Sequence, residues 1–405
     1  MKLSVAYNFD PALIPALARI GEVTEVYGKM DRDIIGGGRA SYTLPRISWK
    51  ALRRSVQQAH NHGILFNYLL NGATLGGLEQ TRQGQRRIRG LLDRLCSIGV
   101  DYVTVSSPYL LRVIKKCYPQ VKVRVSVFAT IDSGLKARQW EEMGADTLCI
   151  SAIGCNRNRD KLQDIRKKTT CELQLIANAS CVQGCAYELT HMNLLTESSR
   201  KGARRGEFCL DYCFLYCTSR KLRTPAELIR SGWIRPEDLG CYEDLGYDSF
   251  KLVERSCPTD LLLRRVQAYA NRTFDGNLME LIAPVAHIKK QQGSPLSTRL
   301  RVIAAMARPL SVKIDKLMIM KKYAEQSVLH EFEKPNAPVY IDNRRLDGFL
   351  DKYWKKNCSQ KQCSTCGFCE KIANELVEID DNYRKQTLSL ADSLDDHLHS
   401  GSLWF

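Results

Sequence analysis

Cysteine is the residue type whose spacing in this chain is best suited to chemistry. The sequence has 16 cysteines among 405 residues, and many of them fall into three short runs. Thiolates bind zinc or iron–sulfur clusters when several of them face the same point. The runs comprise Cys181 and Cys185; Cys209, Cys213 and Cys217; and Cys358, Cys363, Cys366 and Cys369.

The first two runs share C-x3-C spacing. On a helix, residues four apart lie on one face with Cβ atoms ~5–6 Å apart, so Cys181 with Cys185 and Cys213 with Cys217 could supply four ligands to one centre. Spacing alone does not select the metal, because structural zinc accepts similar pairs. The alternative is a set of buried apolar cysteines, which five cysteines within 37 residues disfavour.

The third run reads C-x4-C-x2-C-x2-C, from Cys358 to Cys369. A zinc ribbon separates its two cysteine pairs by many residues, whereas the C-x2-C-x2-C core resembles the ligand run of bacterial ferredoxins. The run predicts a [4Fe–4S] cluster of its own, and a small zinc knot is the alternative.

Composition restricts the classes of protein to consider. Cysteine is abundant but far below the ~8–10% of a small disulfide scaffold, which favours metal or redox chemistry in the reducing cytoplasm. No run approaches the ~18 apolar residues of a membrane helix, and Asp10 and Pro11 interrupt the apolar start that a signal peptide needs. We therefore expect a cytoplasmic protein without a membrane partner.

The net charge of +16 suits a polyanionic partner such as RNA, or an anionic small-molecule co-substrate. Solvated basic faces are the alternative. Two basic clusters stand out, one on a predicted helix and one near the second cysteine run. They comprise Arg82, Arg86, Arg87 and Arg89; and Arg200, Lys201, Arg204, Arg205, Arg220, Lys221 and Arg223.

The elements that must position the cysteines alternate between short β-branched runs and helical stretches. This alternation predicts a parallel sheet, and eight strands within residues 1–255 match a (β/α)₈ TIM-like barrel. A doubly wound open sheet is the alternative. The predicted strands are Leu3–Tyr7, Val23–Tyr27, Ile64–Leu70, Tyr102–Val105, Val121–Val127, Thr147–Ile150, Glu172–Ile176 and Ser249–Val253.

The long segment 177–248 between the last two strands carries the first two cysteine runs, and we expect it to form a Cys-rich insertion at the barrel mouth. After the barrel we expect a smaller α+β extension. It divides into a helical and mixed part over 256–350, a cluster-binding segment over 351–385 and a flexible acidic tail over 386–405.

These residues resemble the collagenase-like peptidase family, peptidase family U32, across most of residues 1–285. The resemblance rests on Tyr27-Gly28, on the glycines 36–38 with Arg39, on the F-N-Y-L-L-N run that ends at Asn71, on the segment 178–191 and on the segment 247–255. The W-I-R-P-E-D-L segment, 233–239, also fits a branch of the family.

The resemblance implies a barrel fold and a [4Fe–4S] cluster held by four cysteines at its mouth. It also implies oxygen-independent hydroxylation of an aromatic small molecule or an RNA base, with prephenate as the oxygen donor and a homologous partner subunit. Asn178, Cys181, Cys185 and His191 match the family motif, and Cys213 and Cys217 stand where this branch places its second pair.

The chain departs from the family in two places. Ala186 and Glu188 replace a proline and an arginine, and the family's F-K-I-E-G-R is F-K-L-V-E-R here, so Val253 takes the place of the acid and Glu254 that of the glycine. Because strand residues alternate faces, we expect only one of Glu254 and Arg255 to face the barrel interior. The catalytic candidates are His191, Asn178, Arg255 and Glu254, and Arg39 and Asn71 are candidates for binding the cofactor or co-substrate.

Three classes of function follow from these residues. The first is an iron–sulfur hydroxylase or redox enzyme, in which Arg39 and Arg255 would hold a carboxylate. The second is a peptidase in which Cys181 or Cys185 pairs with His191. The third is an RNA-binding or partner subunit. The ligand set is also open, since Cys209, Cys241 or Cys257 could replace one of the four chosen cysteines.

Overall fold

A computed structural model describes residues 1–203, 209–284, 312–356, 358 and 363–405. Its centre is a closed barrel of eight parallel strands in sequence order, in which the last strand pairs with the first. The expected (β/α)₈ barrel is confirmed, and the open-sheet alternative is excluded. The strands are β1 Lys2–Ala6, β2 Val23–Gly28, β3 Leu65–Leu70, β4 Tyr102–Val105, β5 Lys122–Val125, β6 Thr147–Cys149, β7 Glu172–Ile176 and β8 Ser249–Leu252.

Helices surround the barrel and bury their apolar faces against it. Polar side chains cap several of them, and these caps fix where the helices begin after the preceding strands. The helices up to β7 are α1 Leu13–Leu17, α2 Trp49–Asn61, α3 Arg82–Ser97, α4 Pro108–Cys117, α5 Gly134–Glu142, α6 Ala152–Cys155 and α7 Arg159–Lys168.

The barrel interior contains a polar layer. Glu25 on β2 accepts hydrogen bonds from Ser4 on β1 and from Asn67 on β3, and it forms an ion pair with Arg124 on β5. Asn67 in turn accepts a hydrogen bond from Thr104 on β4 at 2.8 Å. This buried network joins five strands, so the barrel is filled by paired polar groups at this level.

In its described residues, the segment between β7 and β8 forms four α-helices above and beside the barrel. Its first helices pack over the loops that follow β2 and β3, so the insertion covers part of the barrel mouth. The helices are α8 Glu188–Ser199, α9 Tyr212–Arg223, α10 Ala226–Arg230 and α11 Leu239–Glu243.

The chain after β8 adds helices and a small antiparallel sheet. The two strands of this sheet pair in register from Val377 opposite Ile341. Residues 285–311 of this extension lie outside the described residues. The elements are α12 Thr259–Asn271, α13 Leu278–Ile282, α14 Ile314–Gln326, β9 Val339–Ile341, α15 Phe349–Trp354, α16 Cys363–Cys366, α17 Phe368–Leu376, β10 Val377–Ile379 and α18 Asp381–His399.

The acidic C-terminal segment is a helix, so the expectation of a flexible tail from residue 386 is wrong over most of its length. Ala391 and Leu394 of α18 are buried in an apolar cluster with Leu215 of α9 and Met320 of α14. The acidic and serine residues occupy the outer face of this helix, which is why the composition resembled that of a frayed terminus. No helix in the described ranges is long and apolar enough to cross a membrane.

Candidate functional site

The candidate site lies at the carboxyl ends of the strands, where (β/α)₈ barrels place their active sites. Three segments meet there: the loop after β2, which carries the glycines 36–38 and Arg39; the start of the insertion after β7; and residues 253–256 after β8. Glu254 pairs with Arg39 across this junction, and Arg39 interacts electrostatically with Cys181. The cysteine-bearing insertion and the charged residues are therefore parts of one site.

The two C-x3-C pairs come from different kinds of structure. Cys213 and Cys217 lie one turn apart on α9, as the spacing predicts, whereas Cys181 and Cys185 lie in the loop between β7 and α8. Electrostatic interactions couple Cys181 with Cys217 and Cys185, and Cys185 with Cys213. All four thiols therefore face a common region.

Burial raises the pKa of three of these thiols, those of Cys181, Cys185 and Cys213, to about 11 for Cys181 and about 12 for Cys213. Cys181 nevertheless keeps contact with solvent, so protein atoms surround it on most sides but leave it open on one. In the described part of the chain, no three cysteines, histidines or carboxylates are close enough together to hold a single metal ion. A four-iron cluster takes one thiolate on each iron, and Cys181, Cys185, Cys213 and Cys217 are the residues that would hold one at the mouth.

The remaining candidate ligands have other surroundings. Cys209 is buried, its thiol is hydrogen-bonded with Ser198, and it lies near Cys213. The electrostatic neighbours of Cys241 are the carboxylates of Asp238, Asp351 and Asp244. Those of Cys257 are charged side chains next to the barrel. Cys209 is thus the one alternative ligand beside the four-cysteine set.

His191 joins the two helices that flank the cysteines. Its Nε2 lies 3.0 Å from the Asp211 carboxylate, whose other oxygen accepts the backbone N–H of Phe214 and so caps α9. The ring of Tyr187, at the start of α8, packs on Tyr216 of α9 at 4.4 Å between centroids. These contacts fix α9, which carries Cys213 and Cys217, against the loop that carries Cys185.

Asn178 fixes the ends of two strands. Its Oδ1 accepts the backbone N–H of Val253 at 2.7 Å, and its Nδ2 donates to the carbonyl of the same residue at 3.0 Å. Both polar atoms of this buried amide are therefore engaged with the backbone. The structure gives Asn178 a positioning role, in which it holds the residues that follow β8 next to the residues that follow β7.

Glu254 has a backbone conformation that favours glycine. Its φ is 110°, and non-glycine residues in this region store strain of about 1–3 kcal/mol, typically at functional sites. Its carboxylate accepts two hydrogen bonds from Arg39, at 3.3 Å from Nε and 3.1 Å from Nη2. The chain thus keeps the glycine-like backbone at this position and adds a carboxylate that holds Arg39.

The alternation of faces expected for Glu254 and Arg255 does not apply, because β8 ends at Leu252. Both residues are buried, with 7% and 5% of their surface exposed. Burial, followed by the nearby positive charge of Arg39, lowers the pKa of Arg255 to about 10. Arg255 Nη1 is buried and has no hydrogen-bond partner within the described ranges.

The loop after β2 is shaped by a buried ion pair. Lys29 lies 2.9 Å from Asp33 and donates to the carbonyl of Gly36. Gly36 has φ of +77°, and a Cβ there would lie 2.3 Å from the carbonyl oxygen of Thr196 on α8. Only glycine therefore lets α8 approach this loop and close that side of the mouth.

Asn71, at the end of β3, also points into this region. Its Nδ2 donates to Ser126 at 3.4 Å, while its Oδ1 is buried without a partner in the described residues. A Cβ on Gly37 would lie 3.0 Å from that oxygen. Near the mouth, Asn71 Oδ1 is thus an acceptor and Arg255 Nη1 a donor, and each lacks a hydrogen-bond partner in the described residues.

Sequence reasoning missed Lys251. It faces the barrel interior from β8, and its Nζ lies 3.8 Å from the centre of the Tyr27 ring. Burial lowers the pKa of Lys251 to about 8, and the other charges near it include Cys149, Arg124, Glu25 and Arg255. The signal was present, because Ser249 and Lys251 occupy alternate positions of a strand whose other positions are apolar.

The basic cluster of the insertion is largely occupied by contacts within the chain. Arg200 donates to the carbonyl of Thr74, Lys221 to that of Ser180, and Arg220 pairs with Glu227 at 2.8 Å. Arg223 pairs with a carboxylate of α18. Arg204 and Arg205 lie outside the described residues. Arg82, Arg86, Arg87 and Arg89 are exposed on α3.

A pair of substitutions at Glu254 separates backbone strain from side-chain loss. Both E254A and E254G remove the carboxylate that holds Arg39, but only glycine relieves the strain at φ of 110°. We expect E254G to be more stable than E254A by about 1 kcal/mol or more, measured by urea unfolding. At Glu22, whose φ is not positive, the order should reverse; the same order at both positions would contradict the strained backbone.

Lys251 should titrate well below the surface lysines. ¹³C-methylation followed by NMR should give one amine with a pKa of about 8, absent in K251M, against ~10.4 for exposed lysines. The unfolded chain binds this proton more tightly, so the free energy of unfolding should rise between the two values in wild type and be flatter in K251M. A Lys251 signal that titrates with the surface lysines would contradict this prediction.

Comparison with known proteins places this arrangement in a family. The sequence profile of peptidase family U32 matches residues 36–270. An uncharacterized protease of Methanocaldococcus jannaschii is 29% identical over 347 residues, which are 86% of this chain and 87% of that protein.

Two solved structures are also similar. A U32 peptidase aligns over 62% of this chain and 91% of its own, at 20% identity and a TM-score of 0.46. Phosphoribosyl anthranilate isomerase from Thermus thermophilus aligns over 67% of this chain and 98% of its own, at 11% identity and a TM-score of 0.37. The family profile spans more than half of the sequence, and the chain therefore belongs to peptidase family U32.

Proposed function

We propose that this member of the family is an iron–sulfur enzyme that hydroxylates, or otherwise oxidises or reduces, an aromatic substrate without molecular oxygen. One observation carries the proposal. Cys181, Cys185, Cys213 and Cys217 face a common region beside a cationic barrel mouth. When bound there, a [4Fe–4S] cluster supplies one-electron transfer.

The residues of the mouth suit an anionic co-substrate. The unpartnered Nη1 of Arg255 can donate to a carboxylate, and charge-assisted hydrogen bonds from arginine to carboxylate are among the strongest in proteins. Arg39 is held by Glu254 and adds positive charge next to Cys181. Prephenate, the oxygen donor implied by the resemblance to the family, carries carboxylates of this kind.

Two further groups can orient a substrate. The open Oδ1 of Asn71 can accept a hydrogen bond from a hydroxyl or N–H group. Lys251 can hold or release a proton near neutral pH, because burial lowers its pKa to about 8. The packing of α8 on the Gly36 loop closes one side of the mouth and limits the access of water.

The contacts of the basic cluster favour a small aromatic substrate over an RNA base. Arg200, Arg220, Lys221 and Arg223 each bind a group of the same chain. Phosphate contacts dominate RNA affinity and need cations that are open to the partner. An RNA-binding or partner subunit would therefore depend on other basic residues, such as those on α3.

Peptidase activity is the second candidate, and one observation favours it besides the family name. His191 and Asp211 form the hydrogen-bonded pair that orients the base in a cysteine peptidase, and cysteines lie near them. A cysteine peptidase uses one nucleophilic thiol, whereas four thiols face a common region here. The thiols therefore suit a metal centre better than nucleophilic attack.

Loss of the second cysteine pair tests the cluster. We expect anaerobically purified wild-type protein to be coloured and to contain iron and acid-labile sulfide. C213S/C217S should lose the iron held at the barrel mouth, because half of its ligands are gone, while C117S/C241S should keep it. Equal iron in all three proteins, or cleavage of unfolded proteins by a metal-free preparation, would contradict the proposal.

Arg255 tests the co-substrate site. R255M should weaken the binding of prephenate by about tenfold or more, as expected for a lost charge-assisted hydrogen bond, measured by calorimetry under anaerobic conditions. R138M removes an exposed arginine that pairs with Glu142 on α5 and should leave binding unchanged. Equal affinities for R255M and wild type would exclude Arg255 from the site.

A further inference from the structure

The third cysteine run lies outside the barrel, against the insertion. Cys363 and Cys366 begin and end α16, and Gly367, with φ of +59°, breaks the helix before Cys369 on α17. This break takes Cys369 off the helix that carries Cys363 and Cys366. Cys369 interacts electrostatically with Cys358 and with Cys363.

Two cations are held beside these thiols. Arg230, at the end of α10, forms a hydrogen bond with Cys369 and interacts with Cys363. Arg157 interacts electrostatically with Cys369 and is 4% exposed. Both contacts bring positive charge to this group of cysteines.

Arg157 is itself incompletely paired. Its Nε donates to the carbonyl of Ser231 at 3.0 Å, but Nη1 and Nη2 are buried without hydrogen-bond partners in the ranges described. Its guanidinium stacks at 4.0 Å from the ring centre of Trp233 and 5.1 Å from that of Phe349. Burying such a cation is costly unless negative charge lies nearby, and a centre ligated by four thiolates supplies that charge.

We propose that Cys358, Cys363, Cys366 and Cys369 bind a second iron–sulfur cluster. The alternative is zinc, which accepts four cysteines but usually takes them as two separated pairs. Three ligands at three-residue intervals, with a turn at Gly367, match the run that wraps one four-iron cluster in ferredoxins. This part of the proposal does not depend on the function proposed for the barrel.

One buried side chain joins the two cysteine groups. The hydroxyl of Tyr353 donates to Oε1 of Gln183 at 3.2 Å, and Gln183 lies in the loop between Cys181 and Cys185. Tyr353 is also hydrogen-bonded with Cys358 and lies near Cys369. The Tyr353 hydroxyl and the Gln183 side chain therefore form a continuous contact between the two cysteine groups.

This contact suggests electron transfer as the role of the second cluster. That role rests on the function proposed for the barrel. A one-electron donor protein reduces the outer cluster, which is reoxidised when it passes the same electron to the cluster at the mouth. No bond forms or breaks in this exchange. The outer cluster is thus an entry point for electrons, since Cys358 and Cys363 are exposed to solvent.

Metal content tests the second centre. Wild-type protein, purified anaerobically, should contain about eight iron atoms per chain, and C363S/C366S and C213S/C217S about four each. The matched control C117S/C241S should keep about eight. Circular dichroism checks that each variant is folded.

Several results would overturn the proposal. About four iron atoms in both wild type and C363S/C366S would support the barrel cluster and exclude the second one. Zinc bound at the third run would also exclude a second iron–sulfur cluster. Loss of iron from C363S/C366S alone, with none lost from C213S/C217S, would instead contradict the barrel cluster. If a variant fails to fold, alkylation of the native wild-type protein decides, because Cys358, Cys363, Cys366 and Cys369 should be protected by the cluster.

Electron paramagnetic resonance tests the relay. In dithionite-reduced wild type, the signals of two neighbouring clusters should broaden or split each other, so that the spectrum differs from the sum of those of C363S/C366S and C213S/C217S. Y353F should keep about eight iron atoms, since it removes one hydroxyl and leaves the thiols. A wild-type spectrum equal to the sum of the two variants would exclude adjacent clusters.

Discussion

The hydrogen bonds between the Asn178 amide and the backbone of Val253 are the constraint on which the rest of the site depends. They join the residue after β7 to the residue after β8, two points 75 positions apart in the sequence. Cys181 follows three residues later on one side, and Glu254 and Arg255 follow at once on the other. One buried amide therefore fixes where the cysteine loop lies relative to the charges of the mouth.

Some cations of the mouth are paired with carboxylates of the chain, and others are not. Arg39 is held by Glu254, and Lys29 by Asp33, so both cations are compensated within the chain. Arg255 and Lys251 are buried beside them without a carboxylate in ion-pair contact in the part of the chain that is described, and the pKa of each is lowered. Incompletely compensated cations are costly to bury, and an incoming anion would offset that cost.

The sequence predicted the barrel well because its strands are short apolar runs whose periodicity is local. The C-x3-C spacing agreed with the helical position of Cys213 and Cys217 but not with the loop position of Cys181 and Cys185, because spacing alone does not make a segment helical. The acidic tail was misread, although Tyr383, Thr387, Ala391 and Leu394 repeat at helical intervals and are buried in α18. For this segment, the helical periodicity of the buried residues predicts the structure better than the acidic composition does.

The rest of the site depends on contacts between distant residues, which no local pattern contains. The positive φ of Glu254 follows the end of β8, where Asn178 holds the adjacent backbone. The link between the two cysteine groups requires Tyr353 to meet Gln183 across 170 positions. Such contacts are fixed only by the closed barrel and the packing of the extension upon it.

The late position of α18 in the sequence determines when the packing around the site can be completed during synthesis. Leu215 of α9 is buried against Ala391 and Leu394, and Arg223 pairs with Asp392, 169 positions later. On the ribosome, α9 leaves the exit tunnel long before the helix that covers its apolar face. The apolar contacts that hold α9, which carries Cys213 and Cys217, are therefore completed only after all the strands of the barrel have been synthesised.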